Sequence, residues 1–118
     1  MTLAVLAIGG SGVISVAANL VPHDVAAMVK AFHAGRNDEA LQWHRRLLPL
    51  IKALFLETNP IPVKTAMGML GTIAPELRLP LCEMSEPNAA RLKTALENYG
   101  LLKEGAGGKG RGARAKGK

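Results

Sequence analysis

One stretch constrains this chain more than any other. Gly9 to Asn19, GGSGVISVAAN, reads as a buried strand, whereas nearly everything after it reads as helix. Gly9, Gly10 and Gly12 break any helix that precedes them, and Val13, Ile14 and Val16 bring the β-branched side chains that suit a pleated, buried surface. The run Val13–Val16 is too apolar for a sheet edge. A short apolar run bounded by turn residues and followed by a helix has the pattern of a strand in a parallel α/β sheet, which helices cover on both faces. One strand makes no sheet. The pattern therefore predicts a mostly helical chain that is part of a larger α/β unit.

The neighbouring segments support that reading. Thr2 to Ile8 has the character of a helix end. Met1 to His23 carries no charged residue if His23 is neutral, about the ~20 residues a membrane span needs, but no basic region precedes it and Gly-Gly-Ser-Gly interrupts it. No membrane partner is expected. A phosphate-binding loop is excluded by order, because such loops lie between a strand and the following helix, and these glycines come before the strand.

From Pro22 onward the periodicity is helical. Val25, Met28, Val29 and Phe32 recur at three- and four-residue spacing up to Gly35, a C-terminal stop. Asn37 is the expected cap of a second helix, with Asp38 and Glu39 in its first turn and Leu41, His44, Leu47, Leu48, Ile51, Leu54 and Phe55 along one side. Pro49 is expected to kink or interrupt it. Prolines 60 and 62 predict an extended approach to a third helix over Thr65–Gly71. Ser85 is the expected cap of a last helix, with Pro87 in its first turn and Ala90, Leu92, Ala95, Leu96 and Tyr99 as its mixed apolar face before Gly100.

The net charge of +6 hints at a polyanion partner until it is located. Residues 1–104 hold ten Lys/Arg against nine Asp/Glu, while residues 105–118 hold five more bases and no acid. That Gly/Ala/Lys/Arg tail, 103–118, has nothing to bury and is expected to be disordered, with nucleic acid as no more than a weak, salt-sensitive partner. Cys82 is the single cysteine, so neither an internal disulfide nor a cysteine-rich zinc site is available. His23, His33 and His44 lack the spacing of metal ligands, and no cofactor or metal is expected. Trp43 beside Arg45 and Arg46 could stack on a nucleic-acid base, although such a trio is more often a partly buried helix face.

Glu57–Lys64, ETNPIPVK, is a turn that local physics explains in outline but not in its particular residues. Here the sequence resembles the dihydrodipicolinate synthase family of class I pyruvate aldolases. In that family ETNPIPVK or a near variant introduces a C-terminal helix beyond a TIM (β/α)8 barrel, and GGxGVISVxxN is the eighth barrel strand. Leu77–Leu81 (LRLPL) and the ending Tyr99-Gly100-Leu101-Leu102 fit as well, so the resemblance spans residues 3–102, and NPIPVK favours the synthase branch over the sialic acid lyases.

The resemblance implies the following expectations. The fold is α/β, the C-terminal fragment of a (β/α)8 barrel with a three-helix C-terminal region. Residues 1–35 are the barrel end (the end of helix 7, strand 8 and helix 8) and residues 36–102 the helical region. A full barrel needs about 250 residues. The family attacks pyruvate with a lysine on strand 6, forming a Schiff base, and relays protons through tyrosines and a threonine that match nothing here. No catalytic residue is therefore assigned, and Lys64 and Tyr99, which lie in the outer helices, are not carried over. Ile14 aligns with the strand 8 isoleucine that borders bound pyruvate and is the one substrate-binding residue carried over. The implied activity is that of a cytoplasmic, homo-oligomeric lyase condensing pyruvate with aspartate semialdehyde toward diaminopimelate and lysine. The alternatives are a non-catalytic helical oligomerisation module and a nucleic-acid-binding peptide driven by the tail.

Overall fold

The computed structural model of the protein describes residues 1–103. Among the described residues five α-helices follow one another: α1 (Thr2–Ala7), α2 (Pro22–His33), α3 (Asn37–Ala53), α4 (Ile61–Met69) and α5 (Glu86–Tyr99), with one 3₁₀ turn at Val16–Asn19. From residue 104 the basic tail lies outside the described residues.

The strand expected at Val13–Val16 is not formed, and no strand occurs among the described residues. The backbone at Ser15 is extended, with φ −121° and ψ 129°. A strand, however, is defined by the ladder it shares with a neighbour, and the described residues offer none. From Val16 the chain turns instead into the 3₁₀ helix that leads to α2.

The glycines before this segment act as a helix stop. The Gly9 N–H donates to the Leu6 carbonyl at 3.1 Å and the Gly10 N–H to the Val5 carbonyl at 2.8 Å, the paired bonds that close a helix through a left-handed residue. Gly9 is that residue, at φ +101°. At Gly10 a Cβ would stand 2.6 Å from Val5 Cγ1, so no larger side chain fits.

Two helix starts differ from expectation, and a third keeps its expected cap residue without the capping bond. Asn37 is the first helical residue of α3 rather than its cap, which is Arg36. Helix α4 begins at Ile61, not after an extended Pro60–Lys64. Proline needs no N–H partner in a first helical turn, so Pro62 is accommodated there. Ser85 does occupy the cap position of α5, but its side chain makes no capping bond to the helix. Pro49 sits inside α3, which continues through it to Ala53.

One apolar core runs through α2, α3, α4 and α5. Val25 and Met28 from α2, Leu47 and Leu50 from α3, Val63 and Ala66 from α4, and Leu92 and Leu96 from α5 form a single buried cluster with Leu54. The expected stripe of α3 holds in part: Leu47 and Leu54 are fully buried as expected, but so is Leu50, while Leu48 is only partly buried and Phe55, beyond the helix end, is 58% exposed. Since α3 packs on both α2 and α5, its buried face is broader than one amphipathic stripe, and Ala40, Leu47, Leu50 and Ala53 lie on it. Ala90, placed on the apolar face of α5 by its spacing, is exposed.

Candidate functional site

The segment between α1 and the 3₁₀ turn carries Ile14. It is tied to the end of α2 by a 2.9 Å hydrogen bond between His33 Nε2 and the Ser11 carbonyl. Because only acceptors are available on a carbonyl, that ring nitrogen carries the proton. Gly12 and Val13 line a cleft of about 350 Å³ against Pro22, Val25 and Val29 of α2. Ile14 is not part of that lining and is fully exposed. In an extended chain successive side chains point to opposite faces, so Val13 turns toward α2 and Ile14 away from it.

Other large apolar side chains are exposed on the same stretch of chain: Val5 and Ile8 in or next to α1, with Val13 and Ile14 following. In α1 only Leu6 is buried. The residues from Met1 to Ile14 therefore hold uncovered apolar area, whereas the helices behind them are packed.

Three helices meet at a polar cluster that periodicity did not reveal. The Tyr99 hydroxyl at the end of α5 donates to Asp24 Oδ2 at 2.5 Å, and Asp24 Oδ1 lies 3.2 Å from His23 Nδ1 in the first turn of α2. The Arg46 guanidinium of α3 lies over two rings, 5.1 Å from the Tyr99 centroid and 5.5 Å from that of Trp43. His23 meets Trp43 edge to face at 6.5 Å. Burial pushes the Tyr99 phenol well above its ordinary value, and the hydrogen bond and charge of Asp24 push it the same way. Burial pulls the Asp24 carboxyl upward, but the bonds from Tyr99 and His23 and the charge of Arg46 outweigh it, leaving Asp24 below its usual value. The one sequence signal was Tyr99 at the end of an apolar face.

This arrangement answers the question of Trp43. Its ring stacks on Arg46 and abuts His23 on a partly buried face of α3. The three histidines are not gathered, and among the described residues no group of His, Cys, Asp or Glu could hold a metal ion. Lys64, the remaining lysine of interest, gives its ammonium to the Glu76 carbonyl, which ties α4 to the loop after it.

Glu57 explains part of the ETNPIPVK turn. Its Oε1 accepts from the Ser85 N–H at 3.0 Å, the Ser85 hydroxyl at 2.6 Å and the Asn88 amide at 2.9 Å. The bonds from Ser85 and Asn88 hold the Glu57 carboxyl below its usual value. The turn after α3 is thereby fastened to the start of α5, and the Ser85 hydroxyl that could cap the helix serves this link instead.

Solved structures that share this fold are dihydrodipicolinate synthases. The enzyme from Thermotoga maritima superposes with a TM-score of 0.83 at 44% identity, covering 86% of this chain and 34% of that one. The enzyme from Cyanidioschyzon merolae with lysine bound gives 0.81 at 38% identity over 86% and 34%. In sequence, the chain is 52% identical over 103 residues to a 4-hydroxy-tetrahydrodipicolinate synthase of Endomicrobium trichonymphae. It is 53% identical to that of Methanococcus maripaludis strain C7. These matches cover 87% of this chain and span only 35–36% of the relatives' length. Residues 1–99 match the family model described as the dihydrodipicolinate synthetase family. The chain belongs to that family. Among the described residues no helix is long and apolar enough to cross a membrane.

Proposed function

We propose that this chain is the C-terminal third of a 4-hydroxy-tetrahydrodipicolinate synthase, which condenses pyruvate with aspartate semialdehyde through a Schiff base on the route to diaminopimelate and lysine. In this reading residues 1–35 are the last part of a (β/α)8 barrel and residues 36–102 its helical C-terminal region. The observation that carries it is the division of the extended segment into two faces, Val13 toward α2 and Ile14 away from it. A barrel strand needs this arrangement: alternate residues face the surrounding helices and the barrel interior.

Ile14 then contributes shape and dryness rather than chemistry. An apolar wall beside the imine carbon of bound pyruvate excludes water and strengthens nearby electrostatic interactions. The attacking lysine and the proton relay belong to strands outside this chain, and Lys64 is already committed to the Glu76 carbonyl. The exposed apolar residues of α1 and the segment after it are the surface that the remaining strands would cover. Assembly into a homo-oligomer and a cytoplasmic location follow from the same reading.

The experiment is a chimera that joins this chain to the first two thirds of the Methanococcus maripaludis synthase. It should condense pyruvate with aspartate semialdehyde. Ile14→Asp in the chimera should raise the KM for pyruvate and lower kcat. A folded chimera without activity, or one indifferent to Ile14→Asp, overturns the proposal.

A further inference from the structure

A second concave site lies far along the sequence from Ile14, between the C-terminal halves of α3 and α5. It is a cleft of about 250 Å³ whose walls include Arg45, Arg46, Pro49, Ala95, Asn98 and Tyr99. Its polar lining is cationic or neutral, since no carboxylate among the described residues borders it. Arg46 is held in place by the two rings it covers, and the Tyr99 hydroxyl is already engaged by Asp24. Arg45 is exposed and, among the described residues, makes no ion pair. The Asn98 side chain makes no hydrogen bond within the described residues, although it stands in the same wall. Pro49 and Ala95 supply apolar surface beside these donors.

We infer that this cleft binds a small organic carboxylate with a short apolar arm, whose carboxylate is taken by Arg45 and Arg46. Guanidinium groups present planar, paired N–H donors that match a carboxylate, and an Arg fixed by stacking loses little freedom when it binds. Asp24 offsets part of the Arg46 charge, so Arg45 carries most of the uncompensated charge. The Asn98 amide adds a neutral donor at the edge. The apolar arm lies against Pro49 and Ala95, which line the cleft beside the two arginines. Inorganic anions lack that arm and bind more weakly. The inference does not depend on the role proposed for Ile14.

The chain contains one tryptophan, and its ring stacks on Arg46, so its emission reports on the cleft. Titration of the full chain with sodium butyrate should give a saturable change in Trp43 emission. Butyramide, which has the same shape without charge, and sodium chloride at equal ionic strength should give none. Arg45→Ala should weaken butyrate binding about ten-fold or more, the loss expected for a charge-assisted hydrogen bond. Arg45→Lys should fall between. Circular dichroism of both variants should be unchanged because Arg45 is exposed. Equal binding of butyramide, undiminished binding by Arg45→Ala, or no saturable response to butyrate overturns the inference. Each of these readouts is independent of pyruvate chemistry, so failure here leaves the Ile14 proposal standing, and the converse also holds.

Discussion

The Tyr99 hydroxyl donates a 2.5 Å hydrogen bond to Asp24 Oδ2, joining the last turn of α5 to the first turn of α2 across 75 residues of sequence. The bond closes the chain on itself: the helix that follows the Ile14 segment is held by the helix that ends the described fold. Tyr99→Phe keeps the ring beneath Arg46 and removes only the bond to the carboxylate. A hydrogen bond to a charged group is worth about 1.5–3 kcal/mol, and partial exposure brings the expected loss to about 1 kcal/mol. Urea unfolding of the variant measures it, and unchanged stability would contradict the link.

The same pair sets an alkaline limit. The Tyr99 phenol is raised in the folded chain, so its contribution is complete below the ordinary tyrosine value of about 10. It is lost progressively above that, where the unfolded chain ionises first and binds fewer protons than the folded one. Wild-type stability should therefore fall above about pH 10 more steeply than that of Tyr99→Phe. Parallel pH profiles for the two proteins would contradict this.

Glu57 acts in the opposite direction. Its carboxyl is lowered by Ser85 and Asn88, so its contribution is present above the ordinary glutamate value and disappears as pH falls through the lower folded value. On acidification the amide protons at the start of α5 should become exchangeable before those of Leu92 and Leu96. Glu57→Gln should remove that early step from the pH dependence of exchange. A profile identical to that of the wild type would show that the link between this turn and α5 contributes nothing.

Leu50 tests the packing of α3. It is fully buried, whereas Leu48 is half-buried. Leu50→Ala should cost about 2–5 kcal/mol by transfer and cavity formation, and Leu48→Ala much less. Thermal unfolding of the two variants separates these outcomes, and comparable losses would mean that the helix is rotated from the orientation described.

These particulars show what the sequence made legible. The order of the helices, the glycine stops at Gly35 and Gly100, and the kinship carried by GGSGVISVAAN and ETNPIPVK were all readable, because each is a local pattern. What escaped was set by distant partners. Ser85 reads as a helix cap, but Glu57, 28 residues earlier, takes its hydroxyl. Leu50 fell outside the predicted stripe because α3 has two packing partners, and a single periodicity describes only one. The Tyr99–Asp24 bond has no local signature at all. Val13–Val16 reads as an apolar strand, but while Ser15 keeps extended backbone Val16 opens the 3₁₀ turn, because a ladder needs neighbouring strands and none occurs among the described residues.

Imine trapping decides whether residues 1–35 complete the barrel of a pyruvate-binding lyase whose attacking lysine lies on another segment, as proposed above. Pyruvate and borohydride are added to this chain alone and to its chimera with the first two thirds of the Methanococcus maripaludis synthase, and intact masses are compared. No adduct is expected on the chain alone, and one reduced pyruvate is expected on each chimera, located outside the residues contributed by this chain. A stoichiometric adduct on the chain alone, at Lys64 or any other lysine, or a folded chimera that traps no pyruvate, would contradict the proposal.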